Sequence, residues 1–123
     1  MLHNPLTEAD LQAVVDLVSE ANHYPFQVLV NVKDIRGGYA SRFFTKAIYI
    51  PRWALAKSDD YAIYYAIHEL AHIVYGGSGH GVEYKKIEDR LLRHWEMAIR
   101  RKKVYPRTIY SRGKVVYASV KKY

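Results

Sequence analysis

The 123-residue chain has no cysteine. That removes disulfides and thiolate metal sites together, and leaves packing, hydrogen bonds and any bound ion to hold the fold. Long apolar runs are missing as well. No stretch approaches the ~20 apolar residues that cross a bilayer, and Met1-Leu2-His3-Asn4-Pro5 does not place an apolar core after a basic segment as a secretory signal does. These absences predict a soluble, cytoplasmic protein with no membrane partner. No repeats or low-complexity tracts occur, and no Gly-rich phosphate loop follows a strand.

A further absence is local. From Met97 to Tyr123 there is no acidic residue. The net charge of +7 is therefore lopsided: residues 1–84 hold six Lys or Arg against nine Asp or Glu, a balance of −3, while residues 85–123 hold thirteen against three, a balance of +10. Arg100, Arg101, Lys102, Lys103, Arg107, Arg112 and Lys114 stand there among Tyr105, Tyr110 and Tyr117. Cations interleaved with aromatic faces are what weak, salt-dependent nucleic-acid binding requires, so nucleic acid is an expected partner through this region. A run of cations at a helix C-terminus also complements the helix dipole, which is the plainer account of residues 100–103.

What is present suits one domain over residues 1–123, since half the residues are hydrophobic and the length allows a modest core. Thr7 and Asp10 have capping-box spacing, and Leu11, Val14, Val15 and Val18 recur at helical intervals, so residues 7–21 should form an amphipathic helix that covers a sheet. Phe26, Val28, Val30 and Val32 alternate with Gln27, Leu29, Asn31 and Lys33 as in a half-buried strand. Gly37-Gly38 turns the chain. Residues 39–50 carry strand formers at both ends and close on Pro51; residues 43–50 are the candidate strand along which an extended peptide could add. Ser58-Asp59-Asp60 starts a helix through Tyr75 with a broad apolar face. A second long helix from Val82 to about Lys103 shows Tyr84, Ile87, Leu91, Trp95 and Ala98 at steps of three and four. Residues 108–110 and 115–117 flank Ser111-Arg112-Gly113-Lys114, so residues 104–123 should form a basic C-terminal hairpin or tail.

The chemistry lies in His68-Glu69-Leu70-Ala71-His72. Residues four apart share one helix face, so His68 and His72 can grip one ion, and Glu69, about 100° further round, sits beside it within reach of a water on an open coordination position. Zinc acidifies such a water and polarises a carbonyl, and a neighbouring carboxylate takes the proton: the chemistry of peptide hydrolysis. A catalytic zinc usually has three protein ligands. Four of the seven glycines fall between residues 76 and 81, letting the chain reverse after the helix and return His80 to the metal. Glu83, Glu88 and Glu96 on the following helix are its rivals as third ligand. Tyr84, His94 and Tyr75 are candidates for stabilising an oxyanion, although His94 reads better as a solvent-edge residue.

His68-Glu69-Leu70-Ala71-His72 followed by Gly79-His80-Gly81-Val82-Glu83-Tyr84 resembles the SprT-like zinc metallopeptidases, whose core carries HExxH and then a GHGxxF-type segment. Over roughly residues 45–95 the resemblance implies one catalytic Zn2+ held by His68, His72 and His80, Glu69 as catalytic base, and Tyr84 in place of the aromatic residue. The interval from His72 to His80 is shorter than is typical of that family, and its cysteine zinc ribbon cannot exist here. The expected fold is α+β: a small zincin-like domain with a short sheet, an N-terminal helix, an HExxH active-site helix, a long following helix and a C-terminal hairpin. The expected function is a zinc metalloendopeptidase acting on protein or peptide substrates. The competing readings are a nucleic-acid-associated zinc-binding module with latent peptidase activity, and regulatory cleavage of a single partner. Structural zinc sites normally have four protein ligands, and a Glu between the two histidines would have no purpose in one.

Overall fold

The computed structural model describes residues 5–42, 45–100, 110–111 and 114–115. In chain order the elements are α1 (Glu8–Ala21), β1 (Leu29–Lys33), β2 (Tyr39–Ser41), β3 (Ala47–Pro51), α2 (Arg52–Lys57), α3 (Asp59–Tyr75), α4 (Val82–Arg100), β4 (Tyr110–Ser111) and β5 (Lys114–Val115). The architecture is α+β, with helices packed around a small mixed sheet.

Helix α1 begins as its sequence dictates. Thr7 Oγ1 accepts the Asp10 N–H at 3.1 Å, and Asp10 Oδ2 accepts the Thr7 N–H at 2.9 Å, so two orphan donors are satisfied reciprocally. Leu11, Val14, Val15 and Val18 are fully buried. The polar residues of α1 have a second task on the sheet. Gln12 accepts the Val30 N–H and donates to the Val28 carbonyl, both at 2.8 Å, and Glu8 Oε2 accepts the Val32 N–H at 2.8 Å. Residues one helical turn apart thus cap alternate groups along the outer edge of β1.

The sheet order is β1-β3-β2, with β1 parallel to β3 (Leu29 opposite Ala47) and β2 antiparallel to it (Tyr39 opposite Tyr49). Strand β3 is central. Residues 43–50 therefore do not supply an edge for a substrate strand: β2 folds back onto β3, and the Tyr39 and Tyr49 rings stack at 4.4 Å. Residues 43 and 44 lie outside the described residues. Gly38 makes the return possible, because a Cβ there would lie 2.5 Å from the Tyr65 ring and 2.6 Å from the Tyr49 carbonyl oxygen.

The strand phase read for residues 26–32 holds at Val28, Val30 and Val32, which are buried. It fails at Phe26, which is 56% exposed with the Lys46 ammonium 4.8 Å above its ring. The short helix α2 was not foreseen. Helix α4 buries Tyr84, Leu91, Trp95 and Ala98, the stripe its periodicity requires, and packs against α1 and α3. Tyr110 pairs with Val115 and Ser111 with Lys114, so the hairpin connection is two residues where four were expected. Of the residues assigned to nucleic acid, Arg101, Lys102, Lys103, Arg107 and Arg112 lie outside the described residues. No helix among the described residues is long and apolar enough to cross a membrane.

Candidate metal centre

Helix α3 runs from a Ser58 cap, whose Oγ accepts the Tyr61 N–H at 3.0 Å, to Gly76 in the left-handed region at φ 83°. The Gly76 N–H closes the last turn on the His72 carbonyl at 2.8 Å. Arg42 Nη1 donates to the Gly76 carbonyl at 2.7 Å and ties the β2 side of the sheet to this helix end. The chain then reverses through residues 77–81 and enters α4, so α3, its exit loop and α4 enclose one polar site.

His68, His72 and His80 each offer a ligand atom within 4.8 Å of the others. The Nε2 atoms of His72 and His80 are 3.0 Å apart. The His72 Nδ1–H donates to the Gly77 carbonyl at 2.9 Å, because a carbonyl can only accept. His72 Nε2 is then free as a lone-pair donor. His68 is arranged alike with a different partner: its Nδ1 lies 2.9 Å from Glu88 Oε2 and 2.9 Å from the Tyr84 hydroxyl. A carboxylate accepting from Nδ1 fixes the tautomer that presents Nε2 to an ion, the usual outer-shell support of a metal-bound histidine. Three imidazoles with converging ring nitrogens, two of them held in the ligating tautomer, fit a metal ion.

Tyr84 knits the site together. Its hydroxyl lies 2.9 Å from the His68 carbonyl and 3.1 Å from Glu88 Oε2, and its ring stacks on His72 at 4.5 Å. Burial, reinforced by Glu88, raises its pKa, so it stays protonated and donating. Because Tyr84 is wholly buried and its hydroxyl is engaged, it is a scaffold group and not an oxyanion donor. His94 is not part of the site: its charged neighbours are Arg90, Arg93 and His23. Its Nδ1 is buried with no hydrogen-bond partner among the described residues, while the residue as a whole is half-buried.

Glu69 is 6% exposed. Burial raises its carboxyl pKa above the ordinary range, an effect that nearby His68 opposes. His72 is shifted the other way, chiefly because burial disfavours the imidazolium. Of the rival third ligands, Glu83 is exposed beside Lys86 at 3.7 Å and Glu96 is exposed. Glu88 is close to the site, but on the Nδ1 side of His68, outside the trio.

No protein-family model matches the sequence, and comparison with curated proteins finds no match. Solved structures that share the fold include two metallopeptidase zymogens. Abylysin of Pyrococcus abyssi superposes with a TM-score of 0.59 at 18% identity, over 76% of this chain and 92% of that one. Jannalysin of Methanocaldococcus jannaschii gives 0.55 at 16%, over 76% and 97%. The chain has an α+β fold similar to that of these metallopeptidase zymogens. At such identities the likeness is one of architecture, and the site chemistry rests on this chain's own residues.

Two features escaped the sequence reading. Glu88 was weighed as a ligand, not as the partner of His68. Tyr61, Tyr64 and Tyr65, which line a cavity with His68 and Glu69, precede His68 by seven, four and three residues. That helical spacing was the available signal.

Proposed function

We propose that this chain is a zinc-dependent metalloendopeptidase of the HExxH type, with His68, His72 and His80 as metal ligands and Glu69 as general base. The observation that carries the reading is the convergence of the three histidines beside a buried glutamate. When bound, a zinc ion supplies an acidified water and polarises the scissile carbonyl. Glu69 would accept the water's proton on its carboxylate and pass it to the leaving amine nitrogen; the burial that raises its pKa makes the carboxylate a better base. Glu88 and Tyr84 hold His68, and the Gly77 carbonyl holds His72. The placement of His80 in Gly79-His80-Gly81 supports kinship with the SprT-like peptidases within the zincin fold.

The test is Glu69→Gln, which keeps shape and removes the base. Cleavage of denatured-protein substrates should fall by about 10²–10⁴-fold, with zinc content unchanged. Equal cleavage by both proteins would overturn the mechanism.

A further inference from the structure

A cavity of about 360 Å³ adjoins the histidine trio, lined by Tyr61, Tyr64, Tyr65, His68, Glu69 and Glu88. It lies at the small end of ligand pockets, roughly 300–1,000 Å³, which suits one side chain. Two of its three tyrosine rings are held by other contacts: the Tyr65 hydroxyl accepts the Gly38 N–H at 2.7 Å, and the rings of Tyr61, Tyr65 and Trp53 meet at about 6 Å; Tyr64 is exposed at the mouth. The same aromatic group already receives an ammonium, since Lys57 Nζ lies 5.4 Å from the Tyr61 ring centre and 5.9 Å from that of Trp53.

No lysine or arginine is among the lining residues. Glu88 has a side chain 13% exposed, and its two oxygens are used unequally. Oε2 takes the His68 and Tyr84 contacts at 2.9 and 3.1 Å. Oε1 has the exposed Lys85 ammonium at 3.8 Å, beyond hydrogen-bond distance, and so retains acceptor capacity. Glu69 adds a second carboxylate. With a 2+ ion on three neutral histidines, Glu69, Glu88 and the Lys85 ammonium bring the formal charge of the site to +1, so net field does not select a basic side chain. Directional partners do. Ring faces and a mostly buried carboxylate oxygen together match a flat cation carrying N–H donors, and offer an anionic side chain nothing.

We propose that this cavity is a specificity subsite for a basic side chain, arginine before lysine, on a residue flanking the scissile bond. The inference rests on the peptidase reading, and so its test separates the two. Fluorogenic peptides differing only in Arg, Lys, norleucine or Glu at each flanking position are compared by kcat/KM with the zinc-loaded full chain. At one of the two positions Arg should exceed norleucine by about five- to tenfold and Glu by more, and Tyr64→Leu should narrow the Arg-to-norleucine ratio. Norleucine equal to or better than Arg at both positions overturns the subsite while leaving the peptidase in place. Analogues of the same peptides with a reduced, non-cleavable scissile bond are also titrated against the zinc-loaded wild type by fluorescence anisotropy. Arg bound no more tightly than norleucine overturns the subsite even if nothing is cleaved, whereas tighter Arg binding with no cleavage by wild type supports the subsite and counts against the peptidase.

Discussion

Two polar networks, one between α1 and β1 and one between α3 and α4, end differently. Along the outer edge of β1, Glu8 and Gln12 of α1 meet backbone N–H and C=O groups at 2.8 Å; each donor there has its acceptor within the protein, and in that sense the network is closed. Between α3 and α4, the Nδ1 atoms of His68 and His72 are met in the same way by Glu88 and the Gly77 carbonyl. There the ring nitrogens of His72 and His80 are left aimed at each other 3.0 Å apart. A neutral His80 can donate its Nε2–H to the His72 lone pair, but that proton is exchangeable for a cation that His68, His72 and His80 would hold together, so the second network is open to an ion from outside. A closed polar network holds a fold, and an open one held by closed supports makes a binding site.

Breaking each network should have distinct signatures. The largest effect is expected for His72→Ala, which removes a ligand from the open network: metal analysis should find the bound zinc lost and cleavage at background, with secondary structure by circular dichroism retained. Glu88→Ala should weaken zinc about 10–100-fold by freeing His68 to rotate. Glu88→Gln, which still accepts from Nδ1, should lose less; competition with a chromophoric chelator measures both. Gln12→Ala should do the reverse, costing about 1–2 kcal/mol in urea unfolding because the Val30 N–H loses its acceptor, with zinc affinity unchanged.

A finer effect follows from burying Glu69. Its folded-state pKa lies above the ordinary 4.5, so the stability it contributes is complete below that value and is lost as pH rises through the raised one. Metal-free Glu69→Gln should therefore melt above metal-free wild type at pH 7, with the gap closing below about pH 4.5. His72 has the opposite sign, its folded value lying below 6.5, so metal-free wild type should lose stability as pH falls through 6.5. The smallest expected effect concerns the +10 balance of residues 85–123. We propose weak nucleic-acid binding there, with fluorescence anisotropy that falls steeply between low and moderate salt and disappears in Arg107→Gln/Arg112→Gln/Lys114→Gln.

The site helix was legible because its signals are local. Ser58, the i and i+4 histidines and Gly76 each act within one or two turns, and the glycines before Val82 announce the reversal that returns His80. The α1 and α4 stripes were legible for the same reason. What sequence did not reveal was which side chains meet across elements. The central position of β3 depends on β2 crossing to its far side, a long-range pairing that periodicity cannot express. The pairing of Glu88 with His68 spans twenty residues and two helices. Gln12 looked like an ordinary polar residue of a surface helix until β1 lay beside it, and Phe26 has the right phase for a strand that begins three residues later.

Zinc K-edge X-ray absorption of the zinc-loaded full chain tests the central claim directly. Three imidazole nitrogens and one further oxygen at about 2.0–2.1 Å, with one imidazole lost in His80→Ala, is the predicted result. Two imidazoles with a carboxylate, unchanged in His80→Ala, would contradict it and make Glu88 a ligand instead of a support.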